Sequence, residues 1–96
     1  MTTVSAGSSI DFEVGVGSPG LFMVDPAVGE LAGDSDEDTV LVAVQGADGE
    51  ALRDDDGGGS GNPLLALEGS GDAPYAAVVT PYSFDGDPVT VSVAAR

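Results

Sequence analysis

Three consecutive carboxylates, Asp54, Asp55 and Asp56, stand immediately before a glycine-rich run that ends at Asn62. Carboxylates on a turn that can fold around an ion are how a chain binds Ca2+, which takes six to eight oxygen ligands. Asp48 and Glu50 lie on the preceding turn. Asp48, Glu50, Asp54, Asp55, Asp56 and the amide oxygen of Asn62 therefore form a candidate calcium-ligand set, provided the two neighbouring loops meet. The plainer reading is a tight, solvated crossover between strands. Gly57, Gly58 and Gly59 permit backbone conformations that a side chain would obstruct, while the aspartates keep the exposed backbone hydrated. A flexible linker is the third alternative. The solvated crossover is the reading favoured here.

A second acidic cluster, "DSDED", places Asp34, Asp36 and Asp38 at positions 1, 3 and 5 of an EF-hand loop. The pattern then fails, because the sixth position is Thr39 rather than Gly and the twelfth is Gln45 rather than Glu. Flanking helices are also lacking, so this cluster reads as a solvated acidic loop.

Other chemistry finds little to work with. The sequence has no His, Cys or Lys to act as general base, nucleophile or Schiff-base former. Ser8, Ser9 and Ser60 have no basic partner nearby in sequence. A pair of carboxylates could serve glycoside hydrolysis, but among seventeen acidic residues some pair will fall at any given spacing. The expectation is a protein that is not an enzyme, with no cofactor other than the candidate Ca2+.

The charge balance bears on partners. Seventeen acidic residues face two basic ones, Arg53 and Arg96, for a net charge of −15 on 96 residues. In dilute buffer such a chain repels itself; at 1 M salt the Debye length is only about 3 Å and most of that repulsion is screened. The acids are spread from Asp11 to Asp87, over turns and outward strand positions. This distribution suggests a surface adapted to concentrated salt, as in halophiles. It argues against nucleic-acid binding, which needs Lys and Arg to meet phosphate. No apolar run reaches the roughly 18 residues of a membrane span, so membrane insertion is not expected. The N-terminus lacks the basic start and apolar stretch of a secretory signal. Without cysteine, the redox compartment is not legible.

These residues must be held by short strands. Gly, Pro, Asp and Ser interrupt the sequence every six to twelve residues. "IDFEVGV" alternates strictly, with Ile10, Phe12, Val14 and Val16 on one side and Asp11 and Glu13 on the other, the pattern of a half-buried strand. "LFMV" is a short, wholly apolar strand. "DPAVGELAGDSDED" reads as a loop pinned to the core by Val28 and Leu31, and "TVLVAVQ" as the longest apolar strand and a central one. The Asp-Gly of "GADGE" signals a hairpin turn into "ALR". "LLALE", "YAAVVT" and "VTVSV" complete the set, the last with Val89, Val91 and Val93 inward. No helical stripe survives the Gly and Pro interruptions. The expected fold is all-β, an antiparallel β-sandwich or jelly roll of seven to eight short strands. It forms one domain over residues 1–96, with residues 1–8 as a candidate flexible arm.

From Asp38 onward the segments "VLVAV", "ADGEAL", "DDDGGGSGN", "PLLALE", "GDAPYAAVV", "PYSFDG" and "VTVSV" follow one another in an order that resembles the bacterial pre-peptidase C-terminal domain. That family is a small jelly roll related to the collagen-binding domains of collagenases. "SIDFEVGVG" resembles its opening strand. The likeness spans residues 9–94, with a poor match over residues 23–38. Where the family has Gly-x-Tyr this chain has "DAPY", and its opening strand carries fewer aromatics. The resemblance implies a jelly roll whose acidic, glycine-rich segment is a loop at one end. It also implies a non-catalytic accessory role, in some relatives with calcium.

Among the larger side chains, Tyr82 and Phe84 on one loop, and Leu21, Phe22 and Met23 on "LFMV", are candidates either for core positions or for an interface. A small salt-adapted sandwich without catalytic residues, without an export signal and beginning with its own Met suggests a structural part of a larger particle. The leading expectation is a virion protein of a halophilic archaeal virus, a capsid decoration or tail-associated component on the virion surface. Its partners would be other protein subunits of a capsid, tail or surface layer, with homo-oligomerisation as a candidate state. The alternative is an extracellular or cell-surface accessory domain that binds protein or polysaccharide. An acidic regulator or nucleic-acid mimic is a third class.

Overall fold

Period-two alternation of small apolar residues makes nine strands among the described residues and stacks them in two sheets. The computed structural model describes residues 1–46, 49–67, 72–83 and 87–96. The strands are β1 (Thr3–Val4), β2 (Ser9–Val14), β3 (Gly20–Val24), β4 (Glu30–Asp34), β5 (Thr39–Gln45), β6 (Leu52–Asp54), β7 (Leu64–Ala66), β8 (Tyr75–Pro81) and β9 (Val89–Ala95). Sheet A has the order β1-β3-β8-β5-β6 and sheet B the order β2-β9-β4-β7. All pairings are antiparallel except β1 with β3. Every connection except the β5–β6 hairpin passes from one sheet to the other. The chain is an all-β sandwich, with no helix among the described residues.

The core lies between the sheets. Phe22, Val24, Leu41, Ala43, Tyr75 and Val79 come from sheet A, and Val14, Leu31, Leu65, Val91, Val93 and Ala95 from sheet B. Phe12 and Phe22 meet across the gap with ring centroids 5.5 Å apart. Gly20 is required opposite this pair, since a Cβ there would come within 2.6 Å of the Phe12 ring.

Several segments differ from the sequence expectation, each for a physical reason. Val16, expected inward, is 68% exposed, because β2 ends at Val14 and a turn closed by the Gly15–Ser18 bridge follows. The stretch read as a pinned loop contains β4. Val28 and Leu31 are buried as expected, but the chain around Leu31 pairs with both β9 and β7. Its glycine obscured the strand. Gly33 occupies a place where any Cβ would strike the Pro63 ring at 2.7 Å, so it marks close packing rather than a loop. Within residues 1–8, the candidate arm, Thr3–Val4 forms β1 and Val4 is buried. This strand brings the total to nine. Ala43 pairs with Leu52 in the expected β5–β6 hairpin, whose Asp48-Gly49 turn lies partly outside the described residues.

Candidate interaction surface

The registers fix which side chains share the outer face of sheet A. Leu21 is opposite Val78, Val78 is opposite Val42, and Val42 is opposite Arg53. One row further along, Thr3, Met23, Ala76 and Val44 are in line. Alternation turns these positions away from the core. Leu21 is 52% exposed, Ala76 is exposed, and Met23, Val42, Val44 and Val78 are half-buried. No carboxylate belongs to these two rows, and their single charge is Arg53 on edge strand β6. Met1 adds a further apolar side chain beside Leu21 and Val42.

Sheet B is the opposite in character. Its outward positions include Asp11 and Glu13 on β2, Glu30 and Asp34 on β4, and Ser92 and Thr90 on β9. Asp11 and Asp34 both pair with Ser92, from either side, so two carboxylates share one row of this face. The two outer surfaces differ: the rows of sheet A are apolar with one arginine, while sheet B carries the carboxylates beside an uncharged row of Ser9, Ala94, Ala32 and Leu64.

The acidic loop joins the sheets, running from the end of β6 in sheet A to the start of β7 in sheet B. Carboxylate oxygens of Asp54, Asp55 and Asp56 lie within 4.8 Å of one another. Much of this polar capacity is already engaged. Asp54 Oδ2 accepts hydrogen bonds from the amides of Gly57 (2.7 Å) and Leu64 (2.8 Å). Asp55 is 3.6 Å from the Arg53 guanidinium. Asn62 Oδ1 accepts from Ser35 N at 3.0 Å. Glu50 is exposed and is not part of the carboxylate cluster, and Asp48 lies outside the described residues. Of the six expected calcium ligands, three neighbouring aspartates are brought together among the described residues, and one of these braces the loop. Such a cluster can attract a hydrated cation, but the six to eight protein oxygens of a calcium cage are not assembled among the described residues. The turn itself is built on Gly59 and Gly61, both at positive φ, and on Ser60 at φ 58.

The interface candidates are split by the fold. Alternation along β3 sends Leu21 and Met23 outward and Phe22 inward; Phe22 is fully buried and belongs to the core. Tyr82 is 56% exposed just beyond β8, where it borders a shallow acidic cleft with Asp38, Asp55, Asp56 and Gly61. Its backbone N donates to Asp38 O at 2.9 Å. Phe84 lies outside the described residues. Tyr82 and the Leu21–Met23 pair therefore serve different surfaces.

What the residue types alone did not reveal is the contribution of β5 and β8 to the outer face. A signal was present. "TVLVAVQ" is apolar at odd and even positions alike, a pattern expected of a strand covered on both faces. In the structure Thr39, Leu41 and Ala43, on the side facing sheet B, are fully buried, while on the other side Val40 is buried and Val42 and Val44 are only half-buried. No family model matches the chain, and no curated protein or solved structure shows significant similarity to it.

Proposed function

We propose that the protein is a non-enzymatic docking subunit, a capsid decoration or tail-associated component on the virion surface of a halophilic archaeal virus. The observation that carries this reading is the contrast between the two outer surfaces. Outward valines on β5 and β8, with Leu21 and Met23 on β3, present apolar surface, while Asp11, Glu13, Glu30 and Asp34 occupy the other sheet. An apolar face suits attachment to another protein subunit. An acidic face suits exposure to brine, in which carboxylates stay hydrated and their repulsion is screened. A sequence without His, Cys or Lys is also better suited to binding than to catalysis.

Labelling and sedimentation test the proposal. Antibody against the chain should decorate purified virus particles in molar KCl, and the chain should co-sediment with capsids. Fractionation with cell envelopes or culture medium, and not with particles, would overturn it. That distribution is the one expected of the second reading, a surface or secreted accessory domain related to the pre-peptidase C-terminal family. The Asp54–Asp56 cluster favours that alternative, since a weak cation site at a loop end would suit an accessory module.

A further inference from the structure

We infer that residues 1–4 are a releasable strap. β1 detaches from β3 and Val4 leaves the core while the rest of the sandwich stays folded, and this open form gives sheet A a free edge along β3. The inference goes beyond the docking reading above and does not depend on it.

The strap is held at one point. From Met1 to Ser9 every residue is exposed except Val4, which is 3% exposed. β1 has two residues, fewer than any other strand among the described residues, and its pairing with β3 is the one parallel pairing among them. Parallel pairs are slightly weaker per residue than antiparallel ones. Met23 N donates to Thr2 O at 2.8 Å, and Asp25 N donates to Val4 O at 2.9 Å. Apart from such backbone bonds, one buried valine secures the segment.

A fixed turn supplies the pivot. Gly7 N donates to Ala95 O at 2.8 Å and Ala95 N donates to Ser8 O at 2.9 Å, so the chain is pinned to β9 at this turn. Ser8 Oγ donates to Ser5 O at 2.7 Å and accepts from Ser5 N at 3.0 Å, which closes the turn on itself. Gly7, at φ 90, supplies its left-handed step. The turn therefore stays in place when the strap moves, and the pivot is the Val4–Ser5 link. Residues 5–8 are all exposed, so the motion gives up no core side chain but Val4.

β3 does not need the strap as a partner. β8 pairs with all five residues of β3, from Gly20 to Val24, on the opposite side. That antiparallel ladder holds Phe22 and Val24 over the core in the open form. Openings with so few buried contacts belong to the low end of the stability range within a folded chain. Opening replaces a two-residue edge of sheet A by a five-residue one and frees the amides of Met23 and Asp25. A free edge of this length is what strand addition requires, so the strap governs access to it.

Hydrogen exchange of the full chain in molar KCl, read residue by residue by NMR at increasing urea below the unfolding transition, provides the test. The amides of Met23 and Asp25 should exchange through an opening that urea scarcely promotes, with protection of about 10²-fold, the scale set by one buried valine. Amides of β8, which has a neighbour on each side, should be protected at least about 10⁴-fold and exchange only with global unfolding. Val4→Ser should speed exchange at Met23 and Asp25 about 10-fold or more and leave the circular-dichroism spectrum unchanged. A second variant ties the strap down. Thr3 and Met23 are register partners, and the spacing of about 4.8 Å between strands suits a disulfide. The parent has no cysteine, so Thr3→Cys with Met23→Cys forms one defined cross-link. Oxidation should slow exchange at Asp25 to the β8 level, and reduction should reverse this. Protection at Met23 and Asp25 equal to that of β8 in the parent, or absent altogether, overturns the inference. So does a Val4→Ser chain without a folded spectrum, or an oxidised cross-link that leaves exchange at Asp25 unchanged.

Discussion

Asp54, the last residue of β6, accepts a hydrogen bond from the backbone N of Leu64, the first residue of β7, at 2.8 Å. The same oxygen accepts from Gly57 N at 2.7 Å. One carboxylate thus ties the two ends of the crossover loop together and links sheet A to sheet B. This arrangement gives the run of aspartates and glycines a structural purpose. The first aspartate is a brace, Gly59 and Gly61 supply the positive-φ turn, Asp55 is half-buried beside Arg53, and Asp56 is exposed.

Replacing Asp54 with Ala should therefore destabilise the fold, while the same change at Asp56 should have little effect. Hydrogen bonds to a charged group are each worth about 1.5–3 kcal/mol, and a partly buried amide left unpaired adds to the loss. Because Asp54 is only partly buried, the low end applies, and Asp54→Ala should cost about 2 kcal/mol. Asp56→Ala should stay within about 0.5 kcal/mol. Urea titration in molar KCl measures both, and equal effects would remove the brace from the account.

Gly20→Ala offers a test of the inter-sheet packing. A methyl group at this position meets the Phe12 ring at 2.6 Å, and Phe12 cannot retreat without leaving Phe22. Overpacking of this kind costs about 1–3 kcal/mol. The expected result is a lower melting temperature that a second substitution, Phe12→Leu, partly restores. A neutral Gly20→Ala would show that the ring has room to move.

How much of this was legible beforehand varied by element. The alternation of Ile10, Phe12 and Val14 and of Val89, Val91 and Val93 identified β2 and β9, because period-two patterning is directly a statement about faces. Strand β4 is concealed in the sequence, since Gly33 and the flanking acids read as loop punctuation. Only the position of Pro63, thirty residues away in sequence, explains that glycine. The clustering of Asp54, Asp55 and Asp56 was visible as adjacency. That Asp54 and Asn62 spend an oxygen on backbone amides was not, because Leu64 N and Ser35 N are brought to them by the fold. The apolar outer face went unread for a related reason. A wholly apolar strand reveals that both its sides avoid water, but not whether the same chain supplies both covers.

Thr39 predicts a gain in stability. Its side chain is fully buried, and its Oγ1 has no hydrogen-bond partner among the described residues. A buried hydroxyl without a partner costs about 1–3 kcal/mol relative to an apolar group of the same shape. Thr39→Val keeps the β-branched outline and removes the hydroxyl, so it should raise stability by about 1 kcal/mol. Thermal melting in molar KCl would register this as a higher midpoint, and a lower one would mean that the hydroxyl is satisfied in solution.

Cation dependence follows from the loop geometry. With Asp54 bracing the turn and Asn62 bonded to Ser35, Asp55 and Asp56 are left to attract a largely hydrated ion. Affinity should then be at the weak end of the calcium range, about 10⁻³ M or poorer. Chelator added in molar KCl should leave the melting midpoint in place, and Ca2+ should act no differently from Mg2+ at equal ionic strength. A large Ca2+-specific rise, lost in Asp55→Asn with Asp56→Asn, would instead establish a true site completed by groups such as Asp48.

Salt should govern stability more strongly than any single substitution. Asp11 and Asp34 share a row of sheet B with Ser92 between them, so their strands are two spacings, or about 10 Å, apart. At 1 M salt the Debye length is about 3 Å and this separation spans roughly three screening lengths; at 0.01 M the length is about 30 Å and the two charges interact almost unscreened. The same comparison applies across a surface with a net charge of −15 and only two arginines. Those arginines, moreover, make long and largely exposed pairs at 3.6 Å, with Asp55 and Glu30, which contribute little to stability. The folded chain should therefore lose its melting transition as KCl falls from molar to millimolar, and regain it when salt is restored. NaCl should rescue as well as KCl at equal concentration, since screening is indifferent to the monovalent cation. Replacing Asp11 and Asp34 together with Asn should shift the whole dependence to lower salt. A chain that melts at the same temperature in nearly ion-free water would show that its carboxylates are not in tension and would remove the basis for assigning it to brine.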